Sequence, residues 1–371
     1  MKASRGVAKA ALLLAVTFVS GVVSATASEA LDTPWGPAPT VQAVSGTLTP
    51  GQVYRVPANP SAGFHFPYFF TVPRTLNAGY PVLCSPNNDG QVGIPAPQRD
   101  YFASILNEEL HNAMGSKLGV VALTPSFPRP ASEHNDNLYV HALTRAVITT
   151  QKTELYRVDR QLLAMQADLR RQLADAGISV SDSLLLYGFS AAADFVTRLT
   201  ALHPGRVEGV VAGGLGGLPI LPVSHLNGEL LTYPVGVGDF YQMAGKSFDA
   251  PAFSQTPMLM VQGTNDENDS VPEGSELEEE QRFSSDSYSY QQAVWINAQL
   301  GSVPVNRLPQ VRDVYQSLEP VDFAFAELAG ERDTDKKIKP YAVFFDCVLS
   351  RSGACAHKIK TEIEAVTPGF N

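Results

Sequence analysis

Gly188-Phe189-Ser190-Ala191-Ala192 is the stretch whose residue types could do chemistry. A serine hydroxyl becomes an effective nucleophile when a sharp turn presents it at the end of a buried strand, beside donors that can hold an oxyanion. Such a turn strains the serine backbone, so the residues two before and two after it must be small. Gly188 and Ala192 meet that condition. The common pattern is G-x-S-x-G, and Ala192 departs from it only slightly in volume. The competing reading is an ordinary strand–turn–helix with an incidental serine.

The flanking elements are those the chemistry requires. Leu184-Leu185-Leu186-Tyr187 is an apolar run of the kind shown by a strand buried on both faces. Asp194–Leu202 reads as helix, and its N-terminus would aim N–H groups at an oxyanion beside the serine. Other strands are predicted at Gln52–Val56, Phe66–Val72, Tyr80–Cys84, Leu118–Leu123, Val207–Ala212 and Pro257–Gly263. Tyr341–Leu349 is predicted as strand on β propensity. Helices are predicted at Asp100–Met114, Thr153–Ala176, Tyr288–Leu300 and His357–Val366. Residues 301–340 are ambiguous, with a strand-like piece at Val321–Leu328. Strands alternating with helices predict an α/β protein: one doubly wound, mostly parallel sheet flanked by helices. Residues 218–256 are irregular and rich in Gly and Pro, as an insertion or lid would be.

The chain has 371 residues, 44% hydrophobic and 17% charged, enough for one large α/β domain. Lys2, Arg5 and Lys9 precede the apolar run Ala10–Val23, and Ala25-Thr26-Ala27 follows it. This predicts a signal peptide over 1–27, cleaved after Ala27, then an irregular leader over 28–50 and a single domain over 51–371. The apolar run is shorter than the roughly 20 residues a membrane span needs. Cleavage would move the net charge from −10 to −13. An acidic, secreted or periplasmic protein is a poor match for nucleic acid or an anionic membrane. Cys347 and Cys355 could pair in an oxidising compartment, while Cys84 sits in an apolar run as a buried thiol would. No Cys or His spacing matches a zinc site, and no metal is expected.

Over most of residues 50–371 the chain resembles the α/β-hydrolase superfamily, broadly the exported bacterial serine esterases and depolymerases. Three features carry the resemblance. They are the Gly188–Ala192 turn, the segment Leu202-His203-Pro204-Gly205-Arg206-Val207, and Met258–Gly263 followed by Asp266 and Val271-Pro272. The resemblance implies a Ser…Asp…His order of catalytic residues, with Ser190 as nucleophile. It implies Asp266 as the acid, with Asp269 as the alternative. It implies His357 as the base, since no other histidine follows Asp266. A Cys347–Cys355 disulfide would then brace the loop before His357. A second parse takes Val321–Leu328 as the last strand. The loop Ala329-Gly330-Glu331-Arg332 then carries no histidine, and Ser190 lacks its usual base.

The oxyanion donors implied are the N–H of Ala191 and one from Asn87 or Asn88, in the turn after Tyr80–Cys84. Candidate pocket residues are Phe127, Arg129 and His141. His203 reads as structural, His134 as exposed, and His65, His111 and His225 lack supporting context. The implied activity is a secreted serine hydrolase acting on a small-molecule or polymeric carboxylic ester, with no cofactor. The alternatives are a peptidase or thioesterase, or a catalytically silent binding protein on the same fold.

Overall fold

Leu184–Phe189 is indeed a strand, and it lies inside a nine-stranded sheet. The computed structural model describes residues 39–44, 46–88, 92–131, 138–277, 280, 285, 287–329 and 338–365. The expected signal peptide, His134 and the loop Gly330-Glu331-Arg332 lie outside the described residues.

The sheet strands are β1 (Val41–Ala43), β2 (Val53–Val56), β3 (Tyr68–Thr71), β4 (Val82–Cys84), β5 (Ala122–Pro125), β6 (Leu184–Phe189) and β7 (Val207–Gly213). Two residue pairs, β8 (His225–Leu226) and β9 (Glu229–Leu230), make a separate ribbon within the 218–256 segment. β10 (Met258–Gly263) and β11 (Phe323–Leu328) complete the sheet. Its order is β1-β2-β3-β5-β4-β6-β7-β10-β11. Only β3 runs antiparallel to its neighbours, β2 and β5; every other pairing is parallel. The expected leader therefore ends inside the fold, because Val41–Ala43 pairs with Val53–Arg55 as an edge strand.

Side chains of β6 alternate between two cores, as the period of a strand dictates. Leu184 and Leu186 join one face, and Leu185 and Tyr187 the other. Helices cover both faces of the sheet. On the first face lie α4 (Val158–Asp175), through Leu162, Met165 and Leu169, and α5 (Ala191–Leu202), through Phe195, Val196 and Leu199. On the second lie α10 (Ile338–Leu349) and α11 (Cys355–Ala365). Every residue of α5 is buried, so this helix has no solvent face and its N-terminus is fixed against the sheet.

Tyr341–Leu349, expected as a strand, is part of helix α10. Tyr341, Phe344, Phe345 and Val348 are buried, and their spacing is that of one helix face. β propensity lost to this periodicity because it reflects fit to a half-buried pleated surface, not a fixed backbone preference. The last strand is instead β11, within the segment that the second parse took. Cys347 and Cys355 are disulfide-bonded, joining α10 to α11. Cys84 is a buried free thiol whose pKa burial pushes up. Among the described residues, no helix is long and apolar enough to cross a membrane.

Candidate active site

Ser190 stands between β6 and α5 with φ 57° and ψ −127°. No β-strand or right-handed helix uses this conformation, and a residue with a Cβ adopts it at a cost of about 1–3 kcal/mol. The turn is closed from both sides. Ser190 N donates to Gly213 O at 3.0 Å, and Ala193 N donates to Ser190 O at 2.8 Å. A Cβ on Gly188 would overlap the Ala192 carbonyl and lie 2.8 Å from Ala193 N, so glycine is required there. Ala192 is buried and is accommodated where the common pattern has glycine. A strained serine at the end of a central parallel strand, opening a buried helix, has the backbone geometry that a nucleophile elbow requires. The chain has the α/β-hydrolase fold.

No family model and no curated protein matches the chain. Among solved structures, it is similar to poly(aspartic acid) hydrolase-1 from Sphingomonas sp. KT-1, at 17% identity and a TM-score of 0.47, over 76% of this chain and 94% of that one. It is similar to a poly(3-hydroxybutyrate) depolymerase from Bordetella parapertussis, at 14% identity and a TM-score of 0.45, over 81% and 88%. It is also similar to an S-formylglutathione hydrolase from Agrobacterium tumefaciens, at 10% identity and a TM-score of 0.42, over 83% and 94%. Likeness at this level says nothing about substrate, so the chemistry must come from the residues themselves.

Ser190 lines a cleft of about 420 Å³ together with Arg129, Tyr139, Ala191, Asp194, Gly216, Asn268 and Asp269. Ala191 opens α5, so its N–H is the first orphan donor of that helix and lies beside the serine. The turn after β4 reaches the same place: Asn88 Nδ2 donates to Phe189 O at 3.1 Å. The side chain of Asn87 is tied to the chain after β5. Its buried amide grips the Phe127 backbone, with Nδ2 donating to Phe127 O at 2.8 Å and Oδ1 accepting from Phe127 N at 2.9 Å.

The loop after β10 supplies a hydrogen-bond partner for the Ser190 hydroxyl, and it is one the sequence reading missed. Asn268 Nδ2 donates to Ser190 Oγ at 3.1 Å. Asp266 positions it, its Oδ1 accepting from Asn268 N at 3.0 Å and its Oδ2 from Gln262 Nε2 at 2.9 Å. Gln262, buried on β10, also accepts from Leu215 N at 2.9 Å, which ties the turn after β7 to the same loop. Asp269, the alternative acid, is committed elsewhere. Its carboxylate makes two contacts, at 2.9 and 2.8 Å, with Arg307, whose side chain is only 1% exposed. Replacing Asp269 by Asn leaves that guanidinium buried without its counter-charge. Thermal or urea unfolding of Asp269→Asn is expected to show a loss of about 3 kcal/mol.

His357 is not brought to Ser190. It lies exposed in the first turn of α11. That turn is anchored by Ala356 N, which donates to both carboxylate oxygens of Asp322 at 3.0 Å. Asp322 immediately precedes β11, whose Phe323 pairs with Met258, which pairs with Val210, which pairs with Leu186. Ser190 is therefore three strands away and at the opposite end of the sheet, on the order of 20 Å from Asp322. The expectation failed because helix α10 takes the place of the strand that would have delivered His357 to the site. His357→Ala is expected to keep full activity in an ester assay; a tenfold loss with the fold intact would contradict this placement.

His141 is likewise not a cleft residue. Its ring is fully buried, with Nε2 2.9 Å from Phe127 O, and it packs beside the Tyr139 ring. Arg129 does line the cleft, with its guanidinium 3.9 Å from the Tyr139 ring centroid, whereas Phe127 is buried in the core. His203 closes α5 and contacts Asp159 Oδ2 at 2.7 Å, a structural role as expected. Asp194 is the other residue the sequence did not flag. It is 1% exposed in the first turn of α5 and lines the cleft. Its carboxyl is pushed up to about 6, chiefly by burial, with Arg198 opposing the rise and Asp269 adding to it.

Proposed function

We propose that this protein is an exported serine hydrolase that cleaves a carboxylic ester through an acyl-enzyme on Ser190. The backbone of Ser190 carries the proposal. Its strained conformation costs free energy, and it holds the hydroxyl at a cleft beside the N-terminus of a buried helix. Ser190 Oγ attacks the acyl carbon. The oxyanion is held by Ala191 N–H and an N–H of the turn bearing Asn88. The alcohol leaves, and water releases the acyl group from Ser190.

The proton of Ser190 Oγ sets the rate. The Asn268 amide nitrogen donates to Oγ and has no lone pair with which to take that proton, as an imidazole would. Acylation is then expected to be slow, since a positioned base is worth about 10²–10⁴-fold. Turnover of short-chain nitrophenyl esters that disappears in Ser190→Ala is the required result.

The same observation favours a second reading, a catalytically silent binding protein on this fold. An amide, not an imidazole, faces the hydroxyl. Failure of Ser190 to react with a fluorophosphonate would support that reading over the first. A peptidase or thioesterase differs from an esterase only in the bond cleaved, and amide and thioester substrates tested alongside the ester separate them.

A further inference from the structure

Two side-chain oxygens in the walls of the cleft are buried without a hydrogen-bond partner among the described residues: Asp194 Oδ1 and Ser270 Oγ. The cation beside Asp194 is Arg198, whose Nη2 lies 3.9 Å from its Oδ2, beyond hydrogen-bonding distance. Arg198 donates from Nη1 to Ala142 O and from Nη2 to the Tyr288 hydroxyl, and its buried Nε is also without a partner among the described residues. Ser270 is held by its backbone, which donates to Gly216 O at 3.0 Å, leaving the hydroxyl to another partner. Asp194 and Ser270 both line the one cleft, together with Ser190.

A buried acceptor and a buried hydroxyl left unpaired are costly, and in a cleft the missing bonds are those a ligand can supply. The rest of the lining near them is polar too, including Arg129, Asn268 and Asp269. An alkyl chain placed here would strip water from these groups and return nothing. A hydroxyl would satisfy both orphans, donating to Asp194 and accepting from Ser270.

We propose that this cleft is a subsite for a substrate hydroxyl, with Asp194 as the acceptor and Ser270 as the donor. Esters with a free hydroxyl a few bonds from the scissile carbonyl are then favoured over their alkyl counterparts. Asp194, in the first turn of α5, lines the same cleft as Ser190 at the start of that helix. This sets the reach. The turnover preference rests on Ser190 being the nucleophile; the binding preference does not.

The test uses two matched pairs of esters that differ by hydroxyl against methyl. One pair varies the alcohol side, 3-hydroxypropyl benzoate against butyl benzoate. The other varies the acyl side, methyl 6-hydroxyhexanoate against methyl heptanoate. Binding is measured by calorimetry on the full-length mature chain carrying Ser190→Ala, where the ester survives. At least one hydroxyl ester is expected to bind about tenfold or more tighter than its partner. The preference should vanish when Asp194→Ala or, separately, Ser270→Ala is added. Ser270→Ala keeps the test decisive if Asp194→Ala fails to fold. No preference in either pair, no measurable binding, or a preference that survives Ser270→Ala overturns the proposal. A binding preference without wild-type turnover would sink the hydrolase reading and leave the subsite standing.

Discussion

Ser190→Ala is expected to abolish ester hydrolysis, by about 10³-fold or more, while leaving the fold intact. Without Oγ there is no acyl-enzyme. What remains is the stabilisation that Ala191 N–H and the turn after β4 offer to attack by water. The side chain is only half-buried and its hydrogen-bond partner, Asn268, is exposed, so little stability is at stake. The backbone supplies an independent check. At φ 57° glycine is at ease where serine is not. Ser190→Gly is therefore expected to be equally inactive yet more stable than the wild type, by about 1 kcal/mol. Wild-type stability would mean that the turn stores no strain, and the main support for the nucleophile would go with it.

Gly188→Ala carries a large expected effect on stability. Its new methyl group would meet backbone, the Ala192 carbonyl and Ala193 N, with no flexible side chain to give way. Relief would require moving either β6 in mid-sheet or the first turn of α5, which is buried along its whole length. A cost of about 3 kcal/mol is expected, at the upper end for overpacking. This lowers Tm by roughly 4 °C, measurable by calorimetry. Ala192→Gly restores the common pattern and is expected to leave Tm and activity almost unchanged. Gly188→Ala with wild-type Tm would show that the turn relaxes in a way this structure does not contain.

Much of the fold was legible in the sequence because its signals are local. The apolar run Leu184–Tyr187, the small residues flanking Ser190 and the helix after them are all short-range patterns, and the structure has them in that order. Helix α10 was missed for a physical reason. Tyr341, Phe344, Phe345 and Val348 have strong β propensity and helical spacing at once, and packing against the sheet decided in favour of the spacing. That error carried His357 with it. Asp266 and Asp269 could not be separated by sequence, since their partners Gln262 and Arg307 reach them only through the fold. Asn268 had a signal of a kind, an amide in the loop after a central strand, but nothing in its spacing says that it faces Ser190. Asp194 had none, because a carboxylate in the first turn of a helix is ordinary until its burial is known.

The central claim is that Ser190 Oγ is a nucleophile. The most direct measurement is covalent labelling of the mature protein with a fluorophosphonate, read as intact mass and mapped to a peptide. One adduct is expected, on the peptide containing Ser190, absent in Ser190→Ala and present in His357→Ala. A wild-type protein that takes up no adduct, or one labelled at another serine, would contradict it.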